Sequence, residues 1–419
     1  MTDTFVDTVV VGGGQAGIAA SRHLAKNEVP HVVLERARVA ESWRTRRWDS
    51  LVANGPAWHD RFPEQEFATV DADGFPGKET VASYFEEFVQ GNDLPMRCGV
   101  DVKRVSRLDG QAGFRVETSD GNWIARHIVA ATGPFQTPII PPVVPEDAGV
   151  TQLHSADYRN PNGLPPGGVL VVGAGSSGAQ IADELNRSGR DTYLSVGPHA
   201  RPPRAYRGLD YCWWLGVLGK WEIPRPDPST AHIAIAVSGA NGGRTVDFRQ
   251  LASEGVTLLG LTDSFADGAL QFAPDLLENI TIGDKDYLSV LDEADAYALR
   301  NGLDLPEEPS ARVFPPDPPS LTNPILSLDL ADAGIRTVLW ATGYKLDFNW
   351  LQVDAFDANG QPAHERGVST EPGVYFLGLP WLSRRGSSFI WGVWHDAKYV
   401  ADQIAIHRNY HDYQLAKAL

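Results

Sequence analysis

Two stretches of the chain share one succession of apolar and polar positions. Asp7 to Val11 ("DTVVV") and Gly168 to Val172 ("GVLVV") are short apolar runs rich in β-branched residues, each followed at once by a glycine cluster and then by an amphipathic stretch. Runs of that length and branching read as buried strands, and the apolar spacing after the glycines reads as helix. The pattern therefore predicts strand, turn and helix twice. Further on, "DKDYLSVLDEADAYALRNG" (Asp284 to Gly302) has acids at its start, apolar residues at helical spacing, Arg300 near its end and Asn301-Gly302 as a stop. One helix is predicted there. Proline-rich "FPPDPPSLTNP" (Phe314 to Pro324) cannot continue a helix or an inner strand, so a crossing between domains is expected there, with "PIIPPVVPEDAG" (Pro138 to Gly149) as its counterpart. The aromatic stretch Ala205 to Gly219 reads as a buried helix, with a substrate channel or a membrane-surface foothold as its functional alternatives.

Composition narrows the class of protein. A length of 419 residues, 42% hydrophobic and 21% charged, suits a globular chain of two or three domains. The net charge of −17 would repel a nucleic-acid backbone or an anionic membrane, so no nucleic-acid partner is expected. Much of that charge is local: Asp263 to Glu308 carries twelve acids against Lys285 and Arg300, an acidic, solvated subregion. Cys98 and Cys212 are too few and too far apart for a disulfide framework, a zinc site or a CxxC pair, and no metal is expected. The first residues run into a strand without a basic region or cleavage site, and no apolar run approaches the ~18 residues of a membrane span. A cytoplasmic location is the expectation.

The glycine clusters carry the chemistry. In "VVVGGGQAGIAASRHLAKNEVPHVVLER" the glycines of GxGxxG are Gly12, Gly14 and Gly17, with Gln15 and Ala16 opening the helix and Glu35 and Arg36 ending the second strand. The first glycine permits a tight turn, the second lets a pyrophosphate approach the backbone, the third lets helix and strand pack closely, and Glu35 would hold ribose hydroxyls. The second copy has Gly173, Gly175, Ser176, Ser177 and Gly178 in the same places, but its second strand ends in Ser195, with His199, Arg201 and Arg204 following. A hydroxyl and guanidinium groups would accept a 2′-phosphate that a carboxylate repels, so this copy is expected to take NADPH. The alternative is that these arginines are solvated surface charge. Two dinucleotide sites, the second inserted late, imply FAD reduced by a nicotinamide.

Beyond these residues the chain resembles the class B flavin-dependent monooxygenases, the short bacterial branch akin to flavin-containing monooxygenases and the plant YUCCA-type enzymes. The resemblance rests on "ESWRTRRWDSL" (Glu41 to Leu51), "ATGPFQTP" (Ala131 to Pro138), "GAGSSGAQIADEL", "LWATGY" (Leu339 to Tyr344), "GVYFLGLPW" and "SSFIWGVWHDAKYVA". Of the family's linking signature, FxGxxxHxxx followed by Trp or Tyr, the latter half stands as His154, Ser155 and Tyr158, while Ala148 and Val150 occupy the Phe and Gly positions. The resemblance implies an α/β fold of two Rossmann-like dinucleotide-binding domains, the NADPH domain inserted into the FAD domain: 1–150 and 326–419 for FAD, 151–325 for NADPH. It places Thr132 and Gly133, and Ala341, Thr342 and Gly343, at domain crossings beside the dinucleotides, and Gly378 at a final flavin contact. It also puts Trp43 and Arg44, with Trp48 and Asp49, in a wall over the flavin, the alternative being an ion-paired surface loop. Asn54 becomes a hydrogen-bond donor at the reaction centre, or else a turn residue before Gly55; Asn54, Trp43 and Arg44 are the catalytic candidates. The implied activity is insertion of one oxygen atom from O₂ into a small apolar, N- or S-bearing, or carbonyl substrate through a flavin hydroperoxide. An NADPH-dependent flavin oxidase or reductase, and a non-enzymatic flavin redox sensor, are the alternatives; homodimerisation and peripheral membrane contact stay open.

Overall fold

The computed structural model describes residues 3–225 and 234–418. The first predicted unit is observed as strand β1 (Thr4–Val11), helix α1 (Gln15–Lys26) and strand β2 (His31–Glu35). β1 lies at the heart of a ten-stranded sheet, parallel to β2 on one side and to Gly121–Ala130 on the other. The far edge of Gly121–Ala130 is shared: Phe114–Thr118 pairs antiparallel with its first half, and Val374–Phe376 runs parallel to its last three residues, Ile128 to Ala130. The last quarter of the chain thus returns to complete the sheet that the first quarter began. Val9, Val10, Ile128, Val129 and Phe376 are fully buried, because both faces of these central strands are covered and every residue points into a core.

The second unit repeats the first. β3 (Gly168–Val172), α2 (Ser176–Arg187) and β4 (Thr192–Ser195) enter a five-stranded, wholly parallel sheet ordered Thr257–Leu259, β4, β3, β5 (Ile335–Trp340), Thr151–His154. The centre of this sheet corrects the expected boundary. β5 pairs with β3 through Val338↔Leu170 and Leu339↔Val171, and Ser327–Asp329 pairs with Ala269–Phe272, so residues 326–343 belong to the inserted domain. The proline-rich Phe314 to Pro324 is not the crossing: it lies within the inserted domain, where Phe314 packs on Tyr287 and Leu321 is buried. The chain crosses at Thr137–Pro138 and Tyr344–Lys345, which pair antiparallel with each other. Insertion leaves two crossings side by side, and their backbone groups satisfy one another.

Helix α3 (Leu276–Asn301) contains the predicted acidic helix and starts eight residues earlier, ending as expected at Gly302 with φ 63°. The aromatic stretch holds the buried helix Tyr211–Val217, capped by the Asp210 carboxylate, which accepts from the Cys212 N–H at 2.7 Å. The last helix, α4 (Ile390–Ala418), packs along α1. Among the described residues no helix is long and apolar enough to cross a membrane.

Candidate functional site: two glycine turns and an aromatic cluster

The two glycine turns are built alike. Gly12 and Gly173 have φ of 112° and 108°, and a side chain on either would press a carbonyl 2.6 Å away, that of Ala131 or Ala341. A side chain on Gly17 or Gly178 would overlap the carbonyl of Gly12 or Gly173. The alanine of each ATG segment therefore backs the first glycine of its own turn. α1 begins at Gly14 and α2 at Gly175, both extended and without a side-chain cap, so the first N–H groups of each helix remain available to an anion. In front of Gly14 an added Cβ would meet nothing within 4 Å. The Glu35 carboxylate is held by the N–H groups of Gly13 (2.7 Å) and Ala37 (2.9 Å), which leaves it lone pairs for ribose hydroxyls, while Arg36 is exposed. The residues present fit an FAD pyrophosphate and ribose. Gly378, at φ 76°, packs against Ala16 at the start of α1, and Gln15 reaches across to the Ser388 carbonyl at 2.8 Å.

The second turn is more enclosed. Ser176 Oγ donates to the Ile235 carbonyl at 2.8 Å and accepts from the Val237 N–H at 3.2 Å, and Ala234 lies against Gly175. Ser177 stands beside it on the first turn of α2. Here the expected 2′-phosphate cluster needs correction. Ser195 is buried, donating to the Gly260 carbonyl at 2.8 Å and accepting from Thr262, so its hydroxyl closes the sheet edge. Arg201 is buried in a chain of alternating charges, Asp317–Arg249–Asp284–Arg201–Asp247, with its Nε 3.1 Å from Asp284. Arg204 is buried against Asp210 (2.7 Å) and donates to the Asn54 carbonyl. These guanidinium groups are neither solvated surface charge nor free for a phosphate; buried cations require paired anions, and they have them.

At the crossings, Thr132 Oγ and the Gly133 carbonyl both accept from Gln136, while Thr342 Oγ donates to the Ile139 carbonyl at 2.6 Å. His154 takes the Ala156 N–H on Nδ1, so its Nε2–H donates to the Gly343 carbonyl at 3.0 Å. Burial holds its pKa below the usual imidazole value. Tyr158 is buried and donates to Glu184 on α2 at 2.7 Å. The linking segment is thus anchored by His154 and Tyr158 although Ala148 and Val150 replace the other signature positions.

The catalytic candidates separate. Arg44 is paired with Glu79 (3.3 Å) and Glu86 (3.0 Å) and donates to the Val39 carbonyl, so it is a structural tie and not a free cation. Trp43 packs on the first core with Arg47 over its ring, and Trp48 is buried in the core of the inserted domain. Asp49 binds Lys78 and Asn160. The segment joins the domains more than it walls a cofactor. Asn54 is also an inter-domain residue: its Oδ1 accepts from Gln180 of α2 at 2.9 Å and its carbonyl from Arg204.

An aromatic cluster at the domain junction is not visible in the sequence pattern. His59 is stacked with Trp221 (centroids 5.3 Å apart, 27° between planes) and meets Trp58 at 5.3 Å and Trp391 at 5.1 Å, while Phe389 meets Trp221 at 5.3 Å. Trp221 comes from the inserted domain, Trp58 and His59 from the first, and Trp391 from the first turn of α4. Trp391 Nε1, and Nε and Nη2 of the adjacent Arg384, are buried donors without a partner among the described residues. The run "WHD" after Gly55 was the available signal.

Two paired dinucleotide turns, one domain inserted in the other and an aromatic cluster at their junction define a two-dinucleotide oxidoreductase that uses FAD and NADPH. Comparison gives the family. Residues 9–204 match the pyridine nucleotide-disulphide oxidoreductase family. A CzcO-like oxidoreductase of Geobacillus kaustophilus is 32% identical over 96% of this chain and 99% of its own length. The chain belongs to this CzcO-like oxidoreductase family. It is also similar to the probable indole-3-pyruvate monooxygenase YUCCA7 of Arabidopsis thaliana, at 27% identity over 95% of this chain and 87% of that one. Among solved structures, a flavin-containing monooxygenase from Stenotrophomonas maltophilia matches with a TM-score of 0.66 at 21% identity, over 96% of this chain and 99% of that one, a likeness of fold. Despite the first family's description, the two cysteines sit apart, Cys98 exposed beside β2 and Cys212 buried in the helix Tyr211–Val217.

Proposed function

We propose that the protein is an FAD-dependent, NADPH-using monooxygenase that inserts one oxygen atom into a small apolar, N- or S-bearing, or carbonyl substrate. The observation that carries this reading is the aromatic cluster of Trp58, His59, Trp221, Phe389 and Trp391 at the domain junction, beside the start of α4. Bound at the first turn, FAD would supply hydride acceptance and oxygen activation. The N–H groups after Gly14 and the Glu35 carboxylate would hold it, and those after Gly175 would hold the nicotinamide dinucleotide. The indole rings exclude water from the junction, as insertion of one oxygen atom without peroxide leakage requires. Apolar walls favour an apolar substrate body, and the unpartnered donors of Arg384 and Trp391 would orient an acceptor group on it.

The test is rapid mixing of NADPH-reduced enzyme with oxygen. An absorbance transient between the bands of reduced and oxidised flavin, shorter-lived in Asn54→Ala, supports the reading. Direct reoxidation with one hydrogen peroxide per NADPH across a broad substrate panel would move the protein to the oxidases or reductases.

A further inference from the structure

We infer that His59, oriented by Asp60, transfers the proton of the oxygen-consuming half of the reaction, an inference that rests on the oxygenase reading above. His59 Nδ1 lies 2.8 Å from Asp60 Oδ1, and Asp60 Oδ2 accepts from the Gly55 N–H at 2.9 Å. With the carboxylate receiving the Nδ1 proton, Nε2 is the free ring nitrogen, and it has no hydrogen-bond partner among the described residues. The His59 side chain is only 10% exposed. A buried imidazole with one nitrogen fixed by a carboxylate and the other bare is built to give and take a proton at that bare atom. Three indole rings set its plane, and one of them, Trp391, belongs to the turn of α4 that follows Ser388, where Gln15 of α1 is tied.

Gly55 supports the same assignment. Its φ is not positive, so its backbone conformation does not call for glycine. A Cβ at this position would instead overlap both oxygens of the Asp60 carboxylate. The glycine makes room for the group that orients His59. Other ionisable groups lie nearby, among them Asp286, whose buried Oδ2 has no partner among the described residues and whose pKa burial raises. Glu222 is paired with Arg384 at 2.6 Å and Lys220 with Glu293 at 2.7 Å, while burial pushes the Cys212 thiol well up and holds His395 down.

The overall reaction is S + O₂ + NADPH + H⁺ → SO + NADP⁺ + H₂O. The O–O bond breaks, one oxygen bonds to substrate, and NADPH supplies two electrons. His59 Nε2 takes a proton from solvent and passes it to the oxygen that leaves as water. Asp60 is a positioning residue.

Purified FAD-loaded wild type, His59→Gly and Asp60→Asn are each reduced anaerobically with NADPH and then mixed with oxygen, giving two rates per protein. The ratio of the oxygen-dependent to the NADPH-dependent rate should fall about 100-fold in His59→Gly, and added imidazole should restore at least about tenfold of it. Asp60→Asn should lower the ratio without responding to imidazole. An unchanged ratio, or a fall in His59→Gly that imidazole does not repair, overturns the assignment by making the ring a packing element. If His59→Gly does not hold FAD, an unchanged ratio in Asp60→Asn overturns it. Wild type that makes only hydrogen peroxide defeats the oxygenase reading and leaves the dyad to the same ratios, because O₂ + NADPH + H⁺ → H₂O₂ + NADP⁺ also consumes a proton.

Discussion

Arg201 shows how a side chain's partners decide its role. In the sequence it is a cation shortly after a Rossmann second strand, where a 2′-phosphate would welcome it. In the fold it is a link in a buried ion chain with Asp284 and Asp247, over the ring of Tyr287. Arg201→Ala should therefore cost about 3 kcal/mol, the range for breaking a buried pair, read as a lowered denaturation midpoint. The ratio of NADPH to NADH efficiency should stay at its wild-type value; a selective loss with NADPH would restore the phosphate role. Gly17 is the opposite case, where spacing alone is informative. A methyl there overlaps the Gly12 carbonyl, so Gly17→Ala should lose roughly 1–3 kcal/mol and most of its FAD, measured by the flavin-to-protein absorbance ratio.

At the scale of elements, His199 joins a short strand to the acidic helix. Its Nδ1 is 3.0 Å from the Gly197 carbonyl, its Nε2 has no partner among the described residues, and it lies against Gly283, where a Cβ on α3 would strike the ring. Burial, with Arg201 nearby, lowers its pKa from 6.5 to about 4, and burial does the same to His23 under Trp394. A histidine whose folded pKa is depressed binds protons more readily when unfolded, so its stabilising contribution is complete above about 6.5 and is lost as pH falls towards 4. Denaturant titrations at pH 7 and pH 5 should show the protein weaker at pH 5 by roughly 1–3 kcal/mol. His199→Leu should shrink that difference; a slope unchanged by the substitution would assign it to other groups.

In the whole molecule several polar contacts span the domain junction, among them Ser50–Glu184, Asp49–Asn160 and Arg384–Glu222, and Asn54 makes two more. Its side chain meets Gln180 of α2 and its carbonyl meets Arg204, both in the inserted domain. Asn54→Ala removes only the first. Asn54→Ala and Gln180→Ala should each slow hydride transfer from NADPH to flavin by about tenfold, and the double variant should be no slower than either, since the pair acts as one contact. Additive losses would mean that the two residues act separately. Gln180 Nε2 also donates to the Val237 carbonyl at 3.0 Å, so Gln180→Ala, although it removes the unsatisfied buried Oε1, loses two hydrogen bonds and should cost about 1 kcal/mol.

Which features were legible from the sequence follows from the range of the forces involved. Glycines at fixed spacing, β-branched runs and helix stops act within a few residues, so both turns, the strands around them and the end of α3 at Gly302 could be read from the chain itself, while the insertion of one domain in the other rested on the family resemblance. The late boundary could not, because β5 joins the inserted sheet through pairing with β3, some 170 residues away. Nor could the fates of Arg44, Arg201 and Arg204, since burial and ion pairing depend on carboxylates contributed by distant segments such as Glu86, Asp284 and Asp210 folded against them. The aromatic cluster needed tertiary structure most of all. His59 and Asp60 are neighbours in sequence, but Trp221 and Trp391 reach them from the inserted domain and the final helix, and only the packing of three distant segments turns a histidine into an enclosed, oriented group.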